Sequence, residues 1–460
     1  MASAISDILP AEWIGEYFLL SRRLFLERAS LMAGAGLLPR SLFADGMARP
    51  SAAAPPISGE PVAEQNVSPA LLDRARSLLQ QAPLIDSHND LPSMLLEAHG
   101  DLTRFDMGKI QPTLCADIPR LREGRVGVQY WSVFVESATQ RTHTSLHEAM
   151  REFDVALRLI RSQPDFEQAR TADDIERIHK AGRLACLIGV EGGHMIEDSA
   201  AALRIFYELG ARYMTLTHWD NIDWADAATD RPEHYGLTGF GKQVVREMNR
   251  LGMFVDLSHV SANTMRDALS VTRAPVILSH SSSYAINPHP RNVPDDVLQQ
   301  LKVNGGVAHV NFIKEFISSR NPAWQEQRAA ALRELHTSLD TDQAIEKGIQ
   351  EWEKKNPYPR PTISDVADHI DHIRQVAGID HIGIGADFYD VGRGSMVDGL
   401  EDVTRYPNLF AELLSRKYSD EDALKIAGRN HLRAMWQMEH VAAELQKTES
   451  PLILEGAEKH

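Results

Sequence analysis

The residues predict an α/β fold, a (β/α)8 TIM barrel with a helical insertion between its seventh and eighth strands. Three observations carry that expectation. Eight short β-branched runs recur along the chain, segments with apolar residues at three-and-four spacing lie between them, and the runs are continuously apolar. Strands alternating with helices give βαβ units and a parallel sheet. Continuous apolar runs fit strands covered on both faces, and eight of them suggest closure.

In chain order the runs fall near residues 84–85, 126–135, 184–190, 213–217, 253–257, 275–279, 306–312 and 381–386. Helical spacing marks 147–160, 201–209, 241–251, 262–271, 297–303 and 363–376. Residues 313–362, between the last two runs, combine helical spacing with heavy charge, as in Glu351-Trp-Glu-Lys-Lys355, and predict helices on the rim. They are expected to shape the pocket mouth or a contact between two copies; a solvated surface helix reads equally well. A doubly wound open sheet is the rival fold, but it needs a phosphate-binding turn after a strand. Gly236-Leu-Thr-Gly239-Phe-Gly241 has its glycines in the wrong order, and Gly383-Ile-Gly385 lacks the third.

Composition narrows the function. The 460 residues carry 48 Lys+Arg against 64 Asp+Glu, a net charge of −16, with no basic block that could follow a phosphate backbone. Nucleic acid is therefore excluded as a partner. Two cysteines exclude a disulfide scaffold, a Cys-rich zinc module and a four-thiolate iron–sulfur cluster. Any metal must be held by carboxylates and by some of the 19 histidines.

The domain organisation reads as a signal peptide over 1–48, a linker over 49–65, the barrel over 66–440 and a polar tail over 441–460. Arg22-Arg23-Leu24-Phe25-Leu26, a short apolar stretch and small residues up to Ala48 resemble a twin-arginine signal. The expected location is periplasmic or secreted, with no transmembrane anchor, because the apolar stretch is shorter than the roughly 20 residues of a span.

In such a barrel chemistry collects where strands end. The first run delivers Asp86-Ser-His88-Asn-Asp90, the third Glu191-Gly-Gly-His194, the fourth His218, the fifth Asp256-Leu-Ser-His259, the sixth His280 and the eighth Asp387. One histidine at a strand end is usually structural; six strands doing the same is not, since buried imidazoles and carboxylates cost several kcal/mol unless paired or metal-bound. His88 and Asp90 stand two apart and could grip one zinc-class ion from one side. His259 and His280 could hold a second, with Glu191 as the bridging carboxylate. Two ions about 3.5–4 Å apart share one water and lower its pKa, which is hydrolytic machinery. His218 and Asp387 are left as an oxyanion donor and a proton shuttle.

Glu191-Gly-Gly-His194, Leu216-Thr-His218, Trp224-Ala-Asp226, Asp256-Leu-Ser-His259-Val-Ser, Pro275-Val-Ile-Leu-Ser-His280-Ser-Ser, Arg291-Asn-Val-Pro-Asp-Asp296 and Gly385-Ala-Asp387-Phe together resemble the renal (membrane) dipeptidase family, binuclear zinc metallopeptidases of the amidohydrolase-type barrels. The likeness runs from about residue 84 to 436. It implies a zinc-dependent dipeptidase that cleaves free dipeptides with a metal-bridging hydroxide and carries two Zn2+ per chain. It implies His88 and Asp90 on one zinc, His259 and His280 on the other, and Glu191 between them. It further implies His218 at the tetrahedral intermediate, Asp387 as acid/base and Arg291 on the substrate's terminal carboxylate. A homodimer is left open. The alternatives are another amidohydrolase, such as a deaminase or lactonase, and a catalytically silent metal-binding barrel. No Lys stands near the ends of the third and fourth runs to form the carbamate bridge common in the former, and intact His218 and Asp387 speak against the latter. His194 reads as a residue behind the ligands, and Cys186 as a buried thiol.

Overall fold

The computed structural model describes residues 68–453 except 319–321, 339–341, 358 and 391–393, so the signal-like segment 1–48 and the linker 49–65 lie outside the described residues. Among the described residues, nine strands form one parallel sheet: β1 (Leu84–Asp86), β2 (Val126–Phe134), β3 (Phe166–Gln168), β4 (Leu184–Glu191), β5 (Ala211–Thr215), β6 (Phe254–Asp256), β7 (Ile277–Leu278), β8 (Val307–Val310) and β9 (Ile382–Ile384). Eight of them close a barrel in the order β1-β2-β4-β5-β6-β7-β8-β9, with β9 returning to β1 through Asp86 and Ile384. Each of the eight overlaps a predicted run. The ninth, β3, is an addition: it pairs only with the first three residues of β4, outside the ring, and a three-residue strand with one buried side chain leaves no apolar run to detect.

Side chains alternate across a strand, and here the alternation sorts the core. Along β4, Cys186, Ile188 and Val190 join the larger apolar cluster, which includes helix residues such as Phe153, Leu203 and Val244. Ala185 and Leu187 join a second cluster with Val128, Tyr130, Tyr213, Phe254, Ile277 and Val307. Gly189 and Glu191 continue that second face by the same two-residue step, so the face that begins apolar ends in a carboxylate at the rim.

Helices cover the outside and start where the sequence supplies caps. Thr171, Ser199, Thr238 and Ser261 each accept a backbone N–H of the first turn of the helices Ala172–Lys180, Ala200–Leu209, Gly239–Leu251 and Ala262–Val271. The insertion after β8 is helical, as expected: Lys314–Ile317, Pro322–Ser338 and Asp342–Lys355. The latter two are held together by the Trp324 and Trp352 rings at 5.7 Å and by Arg328 on Glu353 at 2.7 Å. The closing helix runs Asn430–Thr448, past residue 440, and buries Ala442 and Leu445 in what the sequence reading assigned to a polar tail. Among the described residues no helix is long and apolar enough to cross a membrane.

Candidate metal centre

Two buried carboxylates pin the strand ends that carry the site. Asp86 accepts from the backbone N–H groups of Ala386 (2.9 Å) and His88 (3.3 Å) and from Tyr406 Oη (2.7 Å), tying the exits of β1 and β9 together. Beyond them, Asp387 N–H donates to the His88 carbonyl at 3.3 Å and Asp90 N–H to the Phe388 carbonyl at 3.0 Å. Asp256 does the same for β6 and β7 through Ser258 N–H (3.0 Å) and Ser279 N–H (2.8 Å). Two site residues leave the ordinary backbone region: His259 has φ 67° and Asp387 φ 66°, left-handed values that cost a non-glycine residue on the order of 1 kcal/mol.

The predicted ligands converge on Glu191. Its Oε2 lies 3.4 Å from His88 Nε2, and its Oε1 lies 3.0 Å from His259 Nε2 and 3.3 Å from His280 Nε2. His88 Nε2 is also 3.4 Å from Asp90 Oδ1, and the Nε2 atoms of His259 and His280 face each other at 2.9 Å. His218 Nε2 is 3.7 Å from Glu191 Oε1, and Asp387 Oδ1 is 3.9 Å from His88 Nε2. Three overlapping donor groups result, all buried: His88, Glu191 and His280; Glu191, His218 and His259; His88, Asp90 and Asp387. The seven residues are thus one cluster, and distance alone does not divide ligands from catalytic groups.

This cluster fits a metal. His88 Nε2 and Asp90 Oδ1 are buried without a hydrogen-bond partner, although they face other donor atoms of the cluster. Ligands bonded to zinc at 2.0–2.1 Å in a tetrahedron sit about 3.3 Å apart, the spacing found around Glu191. Imidazole and carboxylate without thiolate suit zinc and admit manganese or cobalt.

Electrostatics agree. Burial drives His218, His259 and His280 well below the usual histidine range, with the buried Arg291 adding to it, so their rings are neutral and free to bind through a lone pair. Burial would lower His88 too, but Tyr213, Glu191 and Asp90 outweigh it and hold His88 well above that range. The His88 side of the cluster therefore favours positive charge. Burial raises Glu191, and it pushes Asp387 up to about 7 with Asp90 and Glu191 contributing.

Arg291 is fully buried. Its guanidinium makes two long bonds, to Ser281 Oγ and the His280 carbonyl at 3.3 Å each, and Nε has no partner. No described carboxylate lies within ion-pair distance of it. Burial pushes it down to about 10, against the pull of Asp387, Glu191 and Asp256. His194 stands outside the three donor groups and bonds the Val135 carbonyl through Nε2 at 2.9 Å. Cys115 and Cys186 are buried free thiols.

Sequence reasoning passed over four residues at the site. Tyr213, Ser279 and Ser132 touch ligand side chains, and Asn311 bonds the His280 carbonyl at 3.3 Å. Asn311 was within reach of the strand-end rule, since it follows β8 directly; the other three lie inside or beside strands.

A parallel barrel with a buried histidine–carboxylate cluster at its C-terminal rim defines a metal-dependent hydrolase of barrel architecture. Comparison with known proteins makes this specific. The sequence model of membrane dipeptidase (peptidase family M19) matches residues 72–449, and the chain belongs to this family of metallopeptidases. It is 39% identical over 381 residues to the dipeptidase tcpJ of Claviceps purpurea, covering 80% of each protein. Its fold matches the crystal structure of the "probable dipeptidase PvdM" of Pseudomonas aeruginosa at TM-score 0.70 and 24% identity, over 81% of this chain and 99% of that one. A metallopeptidase of Rhodobacter sphaeroides, solved with a phosphinate mimic of the dipeptide L-Ala-D-Ala, matches at TM-score 0.60 and 23% identity, over 78% and 99%.

Proposed function

We propose that the chain is an exported zinc dipeptidase that holds two ions and cleaves free dipeptides. The observation that carries this is Glu191, whose two oxygens face different donors: Oε2 toward His88, and Oε1 toward His259 and His280. One ion would take His88, Asp90 and Glu191, the other Glu191, His259 and His280. Held there, such ions would supply Lewis acidity, which would lower the pKa of the attacking water and polarise the scissile carbonyl.

The remaining work falls to the chain. A neutral His218, buried against the Phe134 ring at 4.6 Å, can donate one N–H to the oxygen that becomes anionic. Asp387, whose Oδ1 lies 3.9 Å from His88 Nε2, can take the proton of the attacking water and deliver it to the leaving amine nitrogen. Arg291 is a buried cation without a carboxylate partner, a costly arrangement that an incoming carboxylate relieves. That supports the terminal carboxylate of a dipeptide as its partner, held bidentately. The phosphinate dipeptide mimic bound by the Rhodobacter sphaeroides relative supports the same substrate class. The Arg22-Arg23 segment supports export in the folded state.

The test compares kcat/KM for one dipeptide and its C-terminal amide. Wild type should prefer the free acid by roughly ten- to a hundred-fold, the worth of one charge-assisted pair. Arg291→Ala should erase most of that preference, and Arg291→Lys should restore part of it, lacking the planar fork. Equal turnover of acid and amide by wild type overturns the dipeptidase reading in favour of a broader amidohydrolase.

A further inference from the structure

An imidazole that binds a metal through Nε2 must carry its proton on Nδ1, and whatever accepts that proton fixes both tautomer and ring plane. Among the four site histidines only two have such a partner. His88 Nδ1 lies 2.8 Å from Tyr213 Oη, and His280 Nδ1 lies 2.8 Å from Ser279 Oγ. The Nδ1 atoms of His218 and His259 are buried without a hydrogen-bond partner.

Both contacts are built into the barrel. Tyr213 on β5 stands opposite Gly189 on β4 in the sheet register. A Cβ at 189 would lie 1.9 Å from Tyr213 Cζ and 2.3 Å from its Oη, so any side chain there would displace the ring. The glycine is the slot through which the hydroxyl reaches His88. Behind His280, Ser279 Oγ also bonds Asp256 Oδ2, and the other oxygen of that carboxylate accepts the N–H groups of Ser258 and Ser279. Asp256 in its ionised form only accepts. The Ser279 proton therefore points to Asp256, the Ser279 lone pair to His280 Nδ1–H, and His280 Nε2 is left as a lone pair aimed at Glu191.

We propose that Tyr213, seated by Gly189, and Ser279, oriented by Asp256, are positioning residues that each lock one histidine for a different ion. The proposal rests on the two-ion reading above: Tyr213 serves the ion on His88 and Asp90, and Ser279 serves the ion on His259 and His280. Partners of this kind are typically worth about 10- to 100-fold in metal affinity.

The experiment follows zinc release from the full-length, zinc-loaded protein into a chromophoric chelator, alongside melting of the metal-free forms. Wild type should release two ions. Tyr213→Phe, which keeps the ring, should loosen one of them by about 10- to 100-fold and leave the other as in wild type. Gly189→Ala should reproduce that loss, Ser279→Ala should loosen one ion, and Tyr213→Phe with Ser279→Ala should loosen both. Ser279→Thr, which keeps a hydroxyl, should recover wild-type release. Release curves of Tyr213→Phe and Ser279→Ala that superimpose on wild type overturn the proposal. So does loss confined to early melting of the metal-free forms, which marks a merely structural role, or loosening of the same ion by both variants. Wild type that holds fewer than two ions overturns the two-ion reading itself.

Discussion

The barrel contains two groups of buried histidines that obey opposite rules. Near its rim, His88, His218, His259 and His280 turn their Nε2 atoms toward one carboxylate, and two of the four have no partner for Nδ1. Deeper, His309 and His431 form a chain in which every ring nitrogen is paired. His309 Nδ1 bonds the Leu278 carbonyl at 2.9 Å, His309 Nε2 meets His431 Nδ1 at 3.0 Å, and His431 Nε2 meets Tyr130 Oη at 2.8 Å. Because a carbonyl only accepts, the whole chain is forced: His309 donates to Leu278, His431 donates to His309, and Tyr130 donates to His431. Burial lowers His309 to about 4 and His431 well below its usual range, so both are neutral. Same residue type, same barrel, same burial; these two groups differ in whether the hydrogen-bond account closes without a further partner.

The largest effect is expected at Glu191. Glu191→Gln removes the charge that serves both halves of the cluster, so metal analysis should find both ions lost and turnover abolished. Two ions and full activity in that variant would make the rim cluster as self-contained as the deeper one. Next in size, His218→Ala and Asp387→Asn should each keep both ions while kcat falls by roughly 10²–10⁴, the range for a lost oxyanion donor or proton shuttle. Steady-state kinetics with matched metal content measures this, and near-normal kcat removes that residue from its role. The smallest effect on turnover belongs to the deeper chain. His431→Phe strands His309 Nε2 and Tyr130 Oη, each a buried polar atom worth about 1–3 kcal/mol when unpaired. Melting should show that loss of stability while metal content and kcat of the folded protein stay as in wild type; a drop in metal content would join the two groups into one.

Much of the rim was legible in the sequence because a strand end is a local event. His88, Asp90, Glu191, His218, His259, His280 and Asp387 each stand within a few residues of an apolar run, and the barrel brings them together. The supporting contacts were not legible, since they depend on which residues face each other across strands. Gly189 opposite Tyr213 is a register fact, and His309 with His431 joins residues 122 apart. β3 escaped because it lies outside the ring and buries one residue of three. The closing helix continues past residue 440, where a polar tail is expected, because Met435, Met438, Ala442 and Leu445 extend its buried stripe at three-and-four spacing.

The left-handed backbone at His259 and Asp387 has a consequence for how such a protein would age. At 387 the fold carries a strained residue and a carboxyl group held away from water, and a glycine there would relieve both. If Asp387 is the proposed proton shuttle, variants such as Asp387→Gly are expected to lose turnover while gaining stability. A lineage released from selection for turnover would drift toward those variants first, shedding position 387 before any residue of the deeper histidine chain, whose loss lowers stability at once.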